Sequence, residues 1–342
     1  MTENKKLHNL SFIKTLTMII IILYHSSVFY TGEWFKILTP TYSSIILKLF
    51  SKLLNTFGVQ TFIMISGFLF FYSKKYTANL EEKKTNIIKR FKRLIIPYIS
   101  TSIFWVIPIY IMFYGFHLKE IIKNYILMES PSQLWFLIAL FGIFILYQQF
   151  ANKIKFSKKE LLIAYVLTSI GGLTLSYFSI NYFQISNIVT YSIYYYLGGY
   201  IYFNMKNITK RNIKFIITIC FMLLLLFLFL NNTNINILHY LLLLIKPLLS
   251  LCEVTLIYYF CTSFINKYNN ILDNKVYKLL EKNSFGIYLF HQQIIYFIIY
   301  FLDGLIHPII QVILSFIFSL IISLSMSCIL KRNKITKRMF GL

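Results

Sequence analysis

IIQVILSFIFSLIISLSMSCIL, residues 309–330, runs for 22 positions without one charged side chain. As a helix it would extend about 33 Å, enough to cross a hydrocarbon core of about 30 Å. FIITICFMLLLLFLFL, residues 215–230, reads the same way. Composition extends the pattern to the whole chain: 58% of residues are hydrophobic, 13% are charged and the mean hydropathy is +0.67. A soluble fold cannot hide that much apolar surface, so the expected fold class is all-α, a polytopic membrane helical bundle.

Apolar runs set against charged breaks predict about ten spans, at 10–30, 43–73, 94–114, 133–150, 161–179, 188–203, 215–231, 238–264, 284–302 and 307–330. The second is long enough to begin with a surface helix. No small-x-small cleavage site follows the first span, which is therefore expected to remain as an anchor. The net charge of +23 does not form a basic domain. It alternates with the apolar runs, which excludes a nucleic-acid partner.

The basic residues predict orientation. With the N-terminus in the cytoplasm, they fall on that side as Lys5, Lys6 and Lys14; Lys74 to Arg93; Lys153–Lys159; Lys206–Lys214; Lys267–Lys282; and Lys331–Arg338. These clusters hold 28 of the 34 basic residues, five lie on the other side, and Lys246 falls within a span. Such an excess predicts that both termini face the cytoplasm and that the chain is a multi-pass protein of the cell (inner, cytoplasmic) membrane. No loop is long enough for a soluble catalytic domain, so residues 1–342 are expected to form a single integral membrane domain. The four cysteines lack metal-ligand spacing and read as small core residues; no metal is expected.

Ionisable groups within spans cost several kcal/mol, roughly, and so mark candidate functional positions. Lys14 and His25 are eleven residues apart, which is three helical turns plus about 20°. They would share one face, about 16 Å apart along the axis, with Lys14 near the cytoplasmic surface. Arg90 and Arg93, spaced i, i+3, share a face where the third span meets the cytoplasm, and paired guanidiniums suit phosphates. Ser66 with Gly67 allows close helix approach in the second span. Glu129 shortly precedes Gln133-Leu134-Trp135 at the outer face, and His291 lies about two turns into the ninth span. Lys246 and Glu253 share a face of the eighth span, two turns apart, with no role assigned.

Taken in order, these features resemble the acyltransferase family 3 membrane proteins, which move acyl groups onto surface glycans and related envelope molecules. The landmarks are Lys14…His25; Gly58…Ser66-Gly67-Phe68-Leu69; Arg90, Arg93 and Pro97-Tyr98; Leu134-Trp135-Phe136-Leu137; Leu197-Gly198-Gly199-Tyr200; and Ser284-Phe285-Gly286-Ile287-Tyr288-Leu289-Phe290-His291. Two positions depart from the family pattern: Lys14 stands where Arg is more usual, and Gln133 where His is often seen.

The resemblance implies an acyltransferase taking an acyl-CoA donor, usually acetyl-CoA, with no permanently bound cofactor. The acceptor would be a hydroxyl of a surface glycan or a lipid-linked glycan. Lys14, Arg90 and Arg93 would bind the nucleotide part of the donor. His25 would serve as general base or transient acyl acceptor, both within the reach of an imidazole. His291, Glu129, Ser66 and Trp135 are candidates for the acceptor path. Membrane lipids and other polysaccharide-synthesis proteins complete the expected partners. The competing reading is a transporter or flippase exporting an envelope polysaccharide or its lipid-linked precursor. The absence of two similar halves with matching Gly/Pro-broken helices weighs against it.

Overall fold

The computed structural model describes residues 3–32, 34–74, 79–204, 209–231 and 236–342. Lys75 and Lys206 of the basic clusters fall outside the described residues, as do the side chains of Lys5, Lys6 and Lys210. Among the described residues there are helices and no strands. The helices are α1 (Glu3–Ser27), α2 (Ile45–Leu54), α3 (Gly58–Tyr72), α4 (Leu80–Thr101), α5 (Ile107–Tyr114), α6 (Leu118–Ile121) and α7 (Trp135–Phe150). They continue as α8 (Lys158–Tyr177), α9 (Ile185–Asn204), α10 (Lys210–Asn231), α11 (Asn236–Lys267), α12 (Lys275–Leu302), α13 (Pro308–Leu330) and α14 (Lys334–Met339).

Within the described residues, nine helical segments are long and apolar enough to cross a membrane. They match nine of the predicted spans. The tenth prediction, 188–203, coincides with α9, a 20-residue helix rich in tyrosine and glycine whose hydropathy stays below that threshold.

Local signals extend several helices beyond their apolar runs. Asn79 and Glu82 form a reciprocal capping box, with Glu82 N–H donating to Asn79 Oδ1 at 2.9 Å and Asn79 N–H to Glu82 Oε2 at 3.0 Å. Helix α4 therefore starts 14 residues before the predicted 94, and carries Arg90 and Arg93 in its interior. A π-helical stretch, Ser102–Val106, joins α4 to α5 just beyond Pro97. Asn274 likewise caps α12 through the amides of Val276 and Tyr277, so α12 begins nine residues before the predicted 284. The second predicted span divides at residues 55–57 into the short α2 and the apolar α3.

The chain packs as two compact units. One comprises Met1–Gly58, Arg90–Ile138 and Tyr268–Leu342; the other comprises Val59–Lys89 and Ala139–Lys267. In the first, α12 packs extensively on α13, and α1 lies against both. One face of α13 is a serine ladder, with Ser315, Ser319, Ser323 and Ser327 all fully buried at four-residue intervals. Ser327 donates to Asn283 Oδ1 at 2.9 Å, and a Cβ at Gly286 would collide with the Ser327 side chain. Small residues let two backbones approach in lipid, where the hydrophobic effect offers little drive for helix association.

The second unit uses the same device. A Cβ on Gly67 would run into the backbone of Tyr195, and one on Gly198 into the Met64 carbonyl. The Ser-Gly and Leu-Gly-Gly landmarks are thus the two sides of one close crossing of α3 and α9. Ser66 sits half-buried on α3 in this unit.

Candidate active site

The first unit gathers the ionisable groups of α1. This helix is continuous from Glu3 to Ser27, so Lys14 and His25 keep the helical spacing of about 16 Å on one face. At the Lys14 end, Arg93 of α4 and Glu281 of α12 lie within electrostatic reach of the lysine. Lys331, just beyond α13, also senses Lys14. It is anchored by donating to the Lys282 carbonyl at 2.6 Å and to Asn283 Oδ1 at 2.9 Å. Ser11, one turn from Lys14, donates to Glu281. The result is a mouth with three cations and one carboxylate, and Glu281 offsets part of the repulsion among the cations. Arg93 is exposed there, and Arg90, one turn earlier on α4, is half-buried.

At the other end, His25 is half-buried and its Nδ1 is fully buried. Its ring is walled by aromatic groups: Tyr24 at 4.9 Å, Trp34 at 5.6 Å and His291 of α12 at 5.2 Å between ring centroids. Trp34 in turn meets Tyr296 at 4.8 Å, and Tyr296 stacks on Phe35 at 4.6 Å. His291 is fully buried, with Nδ1 at 2.8 Å from the Tyr288 carbonyl and 3.2 Å from the Ile287 carbonyl.

A buried amide clasp holds α12 in place beside this pair. Gln133 Nε2 donates to the Leu289 carbonyl at 2.8 Å and to Gln293 Oε1 at 2.7 Å, while Gln293 Nε2 reaches Gln133 Oε1 at 2.9 Å. Tyr288 donates to the Gln133 carbonyl, and Trp105 Nε1 donates to the Phe290 carbonyl at 3.3 Å. The clasp explains why an amide suits position 133: Gln supplies a donor and an acceptor at once.

The structure thus brings His25 and His291 together, and Lys14 with Arg93. Trp135 begins α7 beside the clasp, 6.4 Å from the Phe136 ring, which itself meets Tyr288. Glu129 forms an ion pair with Lys123 at 3.2 Å. Sequence reading missed Trp34, Tyr296, Gln293, Glu281 and the role of Lys331. Two of these left a usable trace: Glu281 is an acid inside a basic cluster, and Gln292-Gln293 is an amide pair inside an apolar run. No group of three or more His, Cys, Asp or Glu side chains is arranged to hold a metal ion among the described residues.

A family profile described as an acyltransferase domain matches residues 7–330, nearly the whole chain. No match was found among curated proteins or among solved structures.

Proposed function

The chain belongs to the acyltransferase 3 family, as a multi-pass membrane acyltransferase, and on that footing we propose that it moves an acetyl group from acetyl-CoA to a hydroxyl of a cell-envelope glycan or its lipid-linked precursor. The supporting observation is the arrangement along α1: a cationic mouth at Lys14 and an imidazole about 16 Å deeper on the same face. That distance is comparable to an extended pantetheine arm. The nucleotide phosphates would rest on Lys14, Arg90, Arg93 and Lys331 through charge-assisted hydrogen bonds, and the thioester would reach His25. The positive-inside balance supports a donor arriving from the cytoplasmic face of the cell membrane, with both termini on that side.

In the transfer, His25 takes the proton of the acceptor hydroxyl as its oxygen attacks the thioester carbonyl. The new C–O bond forms, the C–S bond breaks, and the proton passes to the departing thiolate. General-base catalysis of this kind contributes roughly 10²–10⁴-fold. The acceptor is proposed to approach past Trp135, with the aromatic wall of Trp34 and Tyr296 shielding the reacting carbonyl from water.

His25→Ala, compared with the parent protein at equal membrane abundance, tests this reading. Mass spectrometry of the surface polysaccharide should show acetylation reduced by at least about a hundredfold. Intact acetylation would remove His25 from the chemistry. Arg90→Ala combined with Arg93→Ala should raise the KM for acetyl-CoA, and an unchanged KM would remove the phosphate site. A protein that moved glycan across proteoliposomes without consuming acetyl-CoA would instead be a transporter.

A further inference from the structure

The Nδ1 of His291 faces two backbone carbonyls of its own helix, at 2.8 and 3.2 Å. Carbonyls only accept, so Nδ1 carries the hydrogen and Nε2 is left as a lone pair. That Nε2 is buried and has no hydrogen-bond partner among the described residues, and the same holds for Nδ1 of His25. A buried polar atom left unmet is destabilising, so two such atoms on neighbouring rings form a conspicuous pair. The ring centroids are 5.2 Å apart at an interplanar angle of 51°. At that separation a single N–H···N bond of about 3 Å can join two imidazoles after a modest ring rotation. Neither ring is hydrogen-bonded to a carboxylate among the described residues, so no acid fixes the tautomer of His25.

We propose that His291 is the positioning residue of the transfer base: its Nε2 receives the Nδ1–H of His25, leaving Nε2 of His25 as the basic nitrogen presented to the acceptor hydroxyl. This rests on the reading of His25 as the base. When Nε2 of His25 takes the hydroxyl proton, the C–O bond forms and the C–S bond breaks. The positive charge of the imidazolium is then steadied through the bond to His291 until the proton leaves with the thiolate. A neutral imidazole therefore occupies the orienting place that a carboxylate holds in a Ser-His-Asp arrangement. The amide clasp of Gln133 and Gln293 keeps α12 in register for it.

The experiment is a nitrogen-15 histidine spectrum of the full-length protein in lipid nanodiscs, with the His25 signals identified by their loss in His25→Gln. The expected result is protonated Nδ1 and bare Nε2 on His25. In His291→Asn, whose amide is too short to reach, His25 should become a mixture of tautomers. In His291→Gln, whose amide oxygen falls near the old Nε2, the original tautomer should return. Thiol release from acetyl-CoA, with water as acceptor, should fall roughly 10–100-fold in kcat for His291→Asn. The KM for acetyl-CoA should hold within about twofold, and His291→Gln should recover most of the loss. A bare Nδ1 on His25 in the parent protein, or an unchanged tautomer in His291→Asn, would overturn the inference. Should His291→Asn fail to fold, the parent spectrum decides alone. The two readings fail separately: activity surviving in His25→Gln sinks the base, whereas an inactive His25→Gln with an unaltered tautomer in His291→Asn sinks only the role of His291.

Discussion

Lys14→Ala and Lys14→Arg separate charge from shape at the mouth of the site. Lys14 shares that mouth with Arg93, Lys331 and Glu281, so its contribution is that of one cation among three. Losing one charge-assisted hydrogen bond costs about 1.5–3 kcal/mol, which corresponds to roughly a 10–100-fold rise in the KM for acetyl-CoA. Lys14→Arg should restore most of it, because a guanidinium grips phosphate at least as well. Steady-state kinetics in proteoliposomes checks both, and a change in kcat alone would place Lys14 elsewhere in the mechanism. The residue-scale reading was open to the sequence wherever two groups shared one helix. Lys14 with His25, and Arg90 with Arg93, needed only 100° per residue. Trp34 was closed to it, because a loop residue finds His25 only once the chain has turned back from α1.

Helix-scale behaviour rests on a few small or amide side chains in places where bulk or a lost donor is costly. Gln133→Ala leaves the Gln293 amide buried without its reciprocal partner, a cost of about 1–3 kcal/mol. The expected outcome is a lower melting temperature in detergent together with reduced turnover, since α12 carries His291; unchanged melting would show that the clasp contributes no stability. Gly198→Val should also be damaging, because a Cβ there already meets the Met64 carbonyl. Overpacking costs typically 1–3 kcal/mol in a packed core, approximately, and the readout is the folded fraction by size-exclusion chromatography. A monodisperse Gly198→Val at parental yield would contradict the close crossing. Here the sequence was only partly legible. It placed the apolar centres of the helices but not their starts, because hydropathy measures cost in lipid whereas Asn79 and Asn274 begin helices by hydrogen bonding in water.

At the scale of the whole molecule, the expected outcome concerns sidedness. In a cysteine-free background, a single cysteine at Thr336 should react with a membrane-impermeant maleimide only after the cells are opened. One at His117, beside the opposite ends of α5 and α6, should react in intact cells. Reversal of the two results would invert the topology and, with it, the route of the donor. The physical basis is the uneven placement of Lys and Arg, of which 28 of 34 fall in the clusters assigned to one side. That imbalance, the number of apolar runs and the helical spacing of Lys14 from His25 follow from the sequence by itself. Each is local or additive, being fixed by neighbours within a few turns or by counting charges. Only the tertiary structure decided that His291 stands against His25, that Glu281 and Lys331 join Lys14, and that Gln133 clasps Gln293. These pairs are separated by more than a hundred residues along the chain, and their meeting depends on how α1, α13 and the turn before α7 pack around α12, a packing that draws on small residues such as Gly286 and Ser327 and on no periodicity that a hydropathy reading registers.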